Sequence, residues 1–262
     1  MEDTSLQVHT AGQTDLLFYT IAHLAIPHAM FTRQGGVSQS PFSGLNLSFG
    51  VGDEPTAVQA NREKVKKELN IQLLASAVQV HGDQIVLVED LSSDHEYQGA
   101  DALISAQAGV GLMIQQADCQ AVLLYDPQRK AIAAIHNGWR GSVANIIAKT
   151  VQAMEEHFGT SPQDLQAVIS PSLGPCCAEF IQYKQELPEE FQQWQEPETY
   201  FDFWEISRWQ LKEAGLDNKQ IKAAELCTMC NKDFFSYRRA SKKLRQNGIT
   251  GRNGSVIVLP AE

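Results

Sequence analysis

Three residues whose side chains can bind a metal or act as a nucleophile stand next to short apolar runs. His81 and His136 each follow a strand-like run, and Cys119 shortly precedes another. A catalytic zinc binds three imidazole or thiolate ligands and keeps a fourth position open, so two histidines and a cysteine would suffice. The separations of 38 (119 − 81) and 17 (136 − 119) residues match no helical pairing. Spacing alone therefore favours histidines that bond turn backbone and a buried cysteine.

The same residues allow a second chemistry. Cys119 with His81 or His136 could form a thiolate–imidazole pair for acyl transfer, and Asp118 could orient the imidazole or act as a base. A nucleophile and a metal ligand both require the thiolate form. The residue types therefore leave the two uses open.

The other four cysteines are arranged as two close pairs. Cys227 and Cys230 form a CxxC, and Cys176 is adjacent to Cys177. A structural zinc needs four ligands, which the two pairs could supply together, whereas no convincing helix follows the CxxC, as a thioredoxin-like motif would require. Adjacent side chains point in different directions in most backbones. We therefore interpret these residues as buried or half-buried thiols.

Several arginines stand among turn residues. A guanidinium can hold a phosphate or carboxylate through two parallel hydrogen bonds. Arg140 lies in the same junction as His136, just before a predicted helix N-terminus that also favours anions. Arg33, Arg140 and Arg239 are therefore candidates for a phosphate site, with Arg238 beside them. A structural ion pair is the more common role for any one of these residues.

The elements that would position these residues are short. The clearest unit is a strand over 131–135, a tight junction over 136–141, and a helix that Ser142 caps and Gly159 ends. One apolar stripe along that helix contains Val143, Ile147, Val151, Met154 and Phe158.

Elsewhere the chain alternates strands, turns and helices. A turn-rich zone over 33–53 precedes a helix with Asp53 as its cap and Pro55 in its first turn. Residues 77–80 and 85–88 predict a hairpin about the Gly-Asp turn, and residues 178–215 a helical region. The mixture predicts an α+β fold with mixed β-sheets in a single domain over 1–262.

Composition limits the class of protein. The chain has 262 residues, 21 Lys and Arg, and 31 Asp and Glu, for a net charge of −10. Such an acidic chain is a poor partner for a nucleic acid polymer. No apolar run approaches the roughly 20 residues of a membrane span, and from the N-terminal residues we expect no secretory signal. With an odd number of cysteines, five, we expect a reduced, cytoplasmic protein.

Nine short segments, taken in order, resemble the YfiH-type family. That family is also described as polyphenol oxidoreductase laccase, as purine nucleoside phosphorylase with adenosine deaminase activity, and as a peptidoglycan editing factor. The segments are TRQGGVS at 32–38, LNLS at 45–48, NR at 61–62, QVHGD at 79–83, ADA at 100–102, ADC at 117–119, HNGWRG at 136–141, CC at 176–177 and FFSYRR at 234–239.

The resemblance implies a four-layer α/β/β/α arrangement, similar to the catalytic domain of cytotoxic necrotizing factor. It also implies that His81, Cys119 and His136 bind one catalytic zinc, with copper as the alternative metal. The implied reactions are phosphorolysis of adenosine, inosine and methylthioadenosine, and hydrolytic deamination of adenosine. In that scheme Asp118 carries protons, while Arg33, Arg140 and Arg239 hold phosphate.

Four features depart from the usual pattern of that family. Asn137 stands where Ala is usual, Gln120 where Pro is common, and Ser170 where Gly is usual, and residues 178–180 also differ. These positions belong to the expected pocket walls rather than to the three ligands. They therefore bear on substrate preference more than on metal binding.

Other functions stay open at this point. One is a cysteine-dependent amidase that edits cell-wall precursor peptides, with Cys119 as its nucleophile. Another is a copper-dependent polyphenol oxidase, which is disfavoured because the chain lacks the dense His-x-His pairs that several coppers require. The expected partners are purine nucleosides and phosphate, with neither a nucleic acid polymer nor a membrane, and the chain is expected to be a monomer or homodimer.

Overall fold

Two β-sheets packed face to face form the centre of the molecule. The structure is a computed structural model that describes residues 6–12, 14–242 and 247–261. The strands are β1 Leu6–Thr10, β2 Leu17–Ile21, β3 His28–Phe31, β4 Leu73–Val78, β5 Ile85–Leu87, β6 His95–Gln98, β7 Ala102–Ser105, β8 Val110–Gln116, β9 Gln120–Asp126, β10 Ala131–Asn137, β11 Gln166–Ile169, β12 Ile221–Ala223 and β13 Asn253–Leu259. The α-helices are α1 Pro55–Leu69, α2 Trp139–Ala144, α3 Ile146–Phe158, α4 Tyr183–Glu186, α5 Phe203–Glu213 and α6 Tyr237–Lys242.

Both sheets are mixed. The first has the order β1-β2-β3-β13-β8-β4-β6, and the second has the order β12-β11-β9-β10-β7-β5. In the first, β4 runs parallel to β6 and β8 while β13 is antiparallel to its neighbours. In the second, β5 is parallel to β7 and β9 is antiparallel to β10. The α+β class with mixed sheets is confirmed.

The central strands are apolar on both faces. On β9, Ala121 and Leu123 join the core between the sheets, while Val122 and Leu124 join the core beneath α3 and α5. Side chains alternate between the faces of a strand, so a strand covered on both sides has an unbroken apolar sequence. This explains why the apolar run that begins at Ala121 shows no polar alternation.

Helices cover the outer faces of both sheets. Val65 of α1 packs on the first sheet, and the apolar side of α3 packs on the second. Helix α1 also orders the turn-rich zone over 33–53, because Asn61 bonds the backbone of Val37, Gly44 and Asn46. That zone is therefore held by polar side chains of α1.

The segment after His136 contains two helices where the sequence predicted one. Helix α2 contains Ser142, and α3 begins after Asn145, whose backbone is left-handed with φ 52°. The Asn145 side chain accepts a hydrogen bond from the Ala148 N–H, so Asn145 rather than Ser142 caps the long helix. Gly159 ends α3 as predicted, whereas Val143 is 42% exposed and lies outside the apolar stripe.

Three further expectations are corrected. The hairpin is wrong, because β4 and β5 belong to different sheets and the loop between them wraps around the Asp101 carboxylate. The region over 178–215 contains only the short α4, a 3-10 turn and α5 among its helices. Helix α1 begins at Pro55, but Asp53 does not cap it: Glu54 is the cap residue, with no side-chain cap bond.

No helix in the described ranges is both long enough and apolar enough to cross a bilayer. Residues 1–5, on which the expectation of a missing secretory signal rests, lie outside the described residues.

Candidate functional site

The ligand atoms of His81, Cys119 and His136 converge. They lie within 4.8 Å of one another, and Cys119 Sγ is 3.8 Å from His81 Nε2. All three residues line an open cavity of about 870 Å³. The structure thus brings together three residues that are far apart in the sequence, in a cavity of the size that small-molecule ligands occupy. We call them the His–Cys–His group.

Strand register places two of these residues. In the β9–β10 pair His136 lies opposite Ala121, so Cys119, two residues before Ala121, lies near the end of β10. Cys119 ends the loop that joins β8 of the first sheet to β9 of the second. The group therefore forms where the chain crosses between the sheets.

The backbone around the group is unusual. His81 has φ 59° and Asp118 has φ 89°, in the left-handed region that non-glycine residues seldom adopt. A Cβ on Gly138 would lie 3.0 Å from Cys119 Sγ and 3.1 Å from His81 Cδ2. Gly138 therefore allows the two side chains to approach each other, and an alanine there would push them apart.

Asp101 organises both histidines, a role that sequence reasoning missed. Its buried carboxylate accepts a hydrogen bond from His136 Nδ1 at 2.7 Å. It also accepts the backbone N–H groups of Val80, His81 and Gly82 at 3.2, 3.0 and 2.8 Å. The ADA segment at 100–102 was the available signal, but only the β7–β10 register shows that Asp101 faces His136.

The electrostatics favour a thiolate beside an imidazolium in the absence of a metal. Although burial opposes its ionisation, His136 and His81 lower the pKa of Cys119 to about 6. Burial also opposes the charged form of His136, but Cys119 and Asp101 raise its pKa to about 9. Asp101 itself has a lowered pKa, because hydrogen bonds from His136 and backbone N–H groups outweigh its burial.

The group suits a metal ion by the chemistry of its donors. Two imidazoles and one thiolate form a zinc ligand set of the catalytic kind, which leaves one position for a ligand from the cavity. The bond from His136 Nδ1 to Asp101 leaves Nε2 as the ligand atom, and such carboxylate–histidine pairs are usual behind metal ligands. Copper accepts the same donor types, so the residues alone do not select the metal.

Asp118 lies on the cavity wall, beside Cys119 in the sequence. Its carboxylate accepts hydrogen bonds from Thr228 Oγ1 at 2.7 Å and from the backbone N–H of Arg238 at 2.6 Å. The imidazole of His136 is oriented by Asp101 rather than by Asp118. Since a carboxylate has about four lone-pair positions, Asp118 keeps capacity for a ligand.

The three predicted phosphate-binding arginines do not line this cavity. Arg33 and Arg239 line a separate cavity of about 120 Å³, where Arg33 donates to the carbonyl of Ser43. The Nη1 of Arg239 donates to the carbonyls of Thr228 and Met229. Arg140 is exposed, with its guanidinium 5.1 Å from the ring centre of Trp139. The guanidinium groups of Arg33 and Arg239 thus donate hydrogen bonds to backbone carbonyls.

Three other cationic side chains line the large cavity. Among the described residues there, these are Arg238, Lys242 and Arg252. Lys242 pairs with Glu179. Arg252 Nη1 donates to the carbonyls of Thr250 and Gly251, and no hydrogen bond to another described residue uses its Nε or Nη2.

Arg252 is a cavity cation whose charge interacts with that of Cys119 in the His–Cys–His group. Burial lowers the pKa of Arg252, while the negative charges of Cys119 and Asp118 act in the opposite direction. Arg252 stands thirteen residues (252 − 239) beyond the FFSYRR segment in a stretch without any regular pattern. No sequence signal therefore marked it.

Two of the cavity-wall residues that depart from the expected family pattern contact each other. Asn137 Nδ2 donates to Gln120 Oε1 at 3.2 Å and to Ser207 Oγ of α5 at 3.1 Å. Gln120 Nε2 donates to the Phe203 carbonyl at 2.9 Å, which fastens α5 to the sheet. The departures at 120 and 137 thus form one buried network, which adds polar atoms to the cavity wall.

Comparisons with known proteins agree with this structure. The family model described as multi-copper polyphenol oxidoreductase laccase matches residues 27–260. A Bacteroides thetaiotaomicron protein named purine nucleoside phosphorylase is 36% identical, over 83% of this chain and 88% of its own length. A Deinococcus radiodurans protein of the same name is 35% identical, over 91% of both chains.

Solved structures match as well. The crystal structure of YlmD from Geobacillus stearothermophilus has a TM-score of 0.83 and 28% identity, over 97% of this chain and 99% of that one. The Bacillus licheniformis hypothetical protein YfiH has a TM-score of 0.83 and 29% identity, over 96% and 98%. The resemblance drawn from the nine segments is confirmed, and the chain belongs to the family described as multi-copper polyphenol oxidoreductase laccase, which includes the YfiH and YlmD proteins.

Proposed function

We propose that this protein is a zinc-dependent purine nucleoside phosphorylase that acts on adenosine, inosine and methylthioadenosine and also deaminates adenosine. The observation that carries the proposal is the convergence of His81, Cys119 and His136 in a cavity large enough for a nucleoside and phosphate. The names of the two bacterial relatives support the phosphorylase activity. We infer a cytoplasmic location, where thiols stay reduced.

His81, Cys119 and His136 would hold the metal, and Asp101 would orient His136. When bound, the metal ion supplies a Lewis acid and lowers the pKa of coordinated water. The chain supplies the orientation: the Asp101 carboxylate fixes the tautomer of His136 and, through three backbone N–H groups, the loop that carries His81.

Arg252 and Arg238 are the residues we propose for phosphate binding, in place of Arg33, Arg140 and Arg239. Phosphorolysis breaks the bond from the sugar carbon to the purine nitrogen and forms a bond from that carbon to a phosphate oxygen. The attacking phosphate must therefore lie beside the sugar, within the same cavity. Arg252 has Nε and Nη2 directed to no other described residue, which suits a bidentate contact.

Asp118 is the residue we propose for proton transfer. Its two hydrogen bonds, from Thr228 and the backbone of Arg238, hold the carboxylate at the cavity wall. In phosphorolysis the departing purine nitrogen must gain a proton, and in deamination the departing amino group must gain one to leave as ammonia. A carboxylate fixed beside the substrate can take that proton from the attacking hydrogen phosphate or water and pass it to the leaving group.

Aromatic side chains provide a surface for the purine. Trp139, Phe180, Phe203 and Tyr237 all line the cavity, and the Phe180 and Phe203 ring centres are 5.1 Å apart. Flat heteroaromatic rings gain dispersion and electrostatic energy against such rings. We infer that the purine binds against this wall, with the sugar towards Arg252.

The test compares the wild type with Cys119→Ser, using His157→Ala as a surface control. Purified protein is incubated with adenosine or inosine, with and without phosphate, and the bases, sugars and inosine are quantified by chromatography while bound metal is measured by mass spectrometry. We expect phosphate-dependent base release from the wild type and a loss of about a thousandfold in Cys119→Ser. Wild-type turnover by a Cys119→Ser protein that has lost the ion of the His–Cys–His group, measured as metal missing relative to the wild type, would overturn the proposal.

The phosphate contact is tested separately. Arg252→Lys should raise the phosphate KM by roughly tenfold with little change in metal content, because one bidentate contact is lost. Arg33→Lys serves as the matched control. An unchanged phosphate KM in Arg252→Lys would contradict the assignment.

A second candidate function is the cysteine amidase. Cys119, His136 and Asp101 have the order of contacts of a thiolate–imidazole–carboxylate triad, with His136 Nδ1 bonded to Asp101. An acyl adduct on Cys119 after incubation with a cell-wall peptide, together with no base release from any nucleoside, would favour this function. Oxygen uptake with a polyphenol and bound copper would favour the oxidase instead.

A further inference from the structure

The four cysteines outside the His–Cys–His group also converge. The sulfur atoms of Cys176, Cys177, Cys227 and Cys230 lie within 4.8 Å of one another, although the two pairs are about fifty residues apart in the sequence. Cys230 Sγ is 3.7 Å from Cys176 Sγ and 3.5 Å from Cys177 Sγ. We call these residues the four-cysteine group.

These distances match a shared metal ion. Four thiolates at about 2.3 Å around one tetrahedral zinc would place the sulfur atoms about 3.8 Å apart. A disulfide bond would need two sulfur atoms at about 2.05 Å, which would break the fourfold arrangement. The adjacent Cys176 and Cys177 both turn towards Cys230, contrary to the expectation that adjacent cysteines point apart.

The backbone around the CxxC is closely packed. A Cβ on Gly174 would lie 3.1 Å from Cys227 Cβ, so this glycine allows the two cysteine-bearing loops to approach each other. The Asn231 N–H donates to the Cys227 carbonyl at 2.9 Å, which closes the turn over the CxxC.

Other contacts hold the two cysteine-bearing loops together. Ser172 and Cys227 form a parallel bridge, and Thr228 N–H donates to the Ser172 carbonyl at 2.9 Å. Arg239 donates to the carbonyls of Thr228, Met229 and Asn231, and its positive charge acts on Cys227 and Cys230. Arg239 thus supports this turn.

We propose that Cys176, Cys177, Cys227 and Cys230 bind one structural zinc ion. Structural zinc sites are tetrahedral and closed, four thiolates are one of their usual ligand sets, and zinc binding releases the thiol protons. The ion would cross-link the loop after β11 to the loop after β12.

This site would support the wall of the larger cavity. Thr228, between Cys227 and Cys230, donates to the Asp118 carboxylate, and the Leu173 N–H donates to the Asp118 carbonyl at 2.8 Å. Residues 178–180, which follow Cys177 directly, line the cavity. A zinc ion here would therefore fix Asp118 and the wall formed by 178–180 without contacting substrate.

The test uses Cys119→Ser protein, because its four remaining cysteines all belong to the four-cysteine group. After purification under reducing conditions, we expect about one zinc per chain by mass spectrometry. Titration with an organomercurial should release that zinc as about four thiols react, followed with a chromogenic chelator. This result does not depend on any enzymatic activity, so it stands or falls separately from the proposed function.

The matched variant adds Cys176→Ser and Cys230→Ser to Cys119→Ser, both at exposed positions. Its zinc content should fall from about one to below about a tenth per chain. If this variant fails to fold, Co²⁺ titration of the apo Cys119→Ser protein should still give the intense thiolate charge-transfer and visible bands of a tetrahedral tetrathiolate site. A cluster that holds disulfides, holds only iron, or binds neither zinc nor Co²⁺ overturns the proposal.

Discussion

The His–Cys–His group and the four-cysteine group are linked through Asp118, which precedes Cys119 and accepts a hydrogen bond from Thr228, and they differ in donor type and in what surrounds them. The first combines two imidazoles with one thiolate, has a carboxylate behind it at Asp101, and opens into the large cavity. The second has four sulfur atoms and would keep no open position once all four bound one ion. A reactive metal site differs from a structural one in the number of protein ligands and in the hydrogen bonds behind those ligands, rather than in the presence of cysteine.

Removing metal is the most direct test of the difference between the two groups. If both groups hold zinc as proposed, dialysis against a chelator at neutral pH should empty the His–Cys–His group first, because an ion there would keep an open position that faces the cavity. We expect complete loss of base release while about one zinc per chain remains and the melting temperature changes by less than about 2 °C. Added zinc should restore activity.

Simultaneous loss of both ions, measured by metal analysis along the dialysis, would show that the two groups do not differ in lability. Loss of the four-cysteine zinc alone, with activity retained, would reverse their assigned roles.

The reactivity of the cysteines in metal-free protein sharpens the contrast. The histidines lower the pKa of Cys119 to about 6, whereas burial and the neighbouring Cys227 raise the pKa of Cys176 to about 11. As the pH rises through about 6, Cys119 becomes a thiolate, while Cys176 stays protonated. At pH 7 we expect Cys119 to be alkylated at least about 100-fold faster, measured by peptide mass spectrometry against pH.

His136→Gln provides the control for that experiment. Removing the imidazolium should move the alkylation midpoint of Cys119 to higher pH and leave Cys176 unchanged. A midpoint that stays near 6 would exclude His136 as the cause of the low pKa.

Asp101→Asn tests the carboxylate behind the first group. The amide can still occupy the space, but it does not favour the same His136 tautomer or stabilise its charged form. We expect zinc affinity at the His–Cys–His group to fall by about 10- to 100-fold, with the four-cysteine zinc unaffected. Competition with a fluorescent zinc indicator measures both.

The smallest expected effect concerns the buried amides. Asn137→Ala and Gln120→Ala should each destabilise the protein, and a double-mutant cycle in urea should give a coupling free energy of about 1 kcal/mol. Additive effects would show that the contact between Asn137 and Gln120 contributes nothing. Neither variant should change the metal content.

Sequence reasoning reached the α+β class, the strand and tight junction around His136, and the end of α3 at Gly159, because these depend on local patterns. It also brought His81, Cys119 and His136 together, but through the family resemblance rather than their spacing. The hairpin at 77–88 failed because a local turn signal cannot show that the following strand joins another sheet.

The contacts that the sequence did not predict depend on the pairing of strands that are distant in the sequence. Asp101 meets His136 only through the β7–β10 pair, and the two cysteine pairs meet through the parallel pairing of β11 with β12. The sequence also did not show which arginine lines the large cavity: Arg239 lies in a recognisable segment and donates to backbone carbonyls, while Arg252, which lines the cavity, lies in no such segment.

The buried contact between Asn137 and Gln120 constrains how this chain could have evolved. The resemblance implies Ala at 137 and Pro at 120 in related chains, so two substitutions would separate that pattern from this one. A single step would leave Gln120 or Asn137 without the other amide in a buried place where lost hydrogen bonds are costly. We therefore expect the two positions to be epistatic, with Ser207, which contacts both amides, as the remaining polar partner after either single substitution.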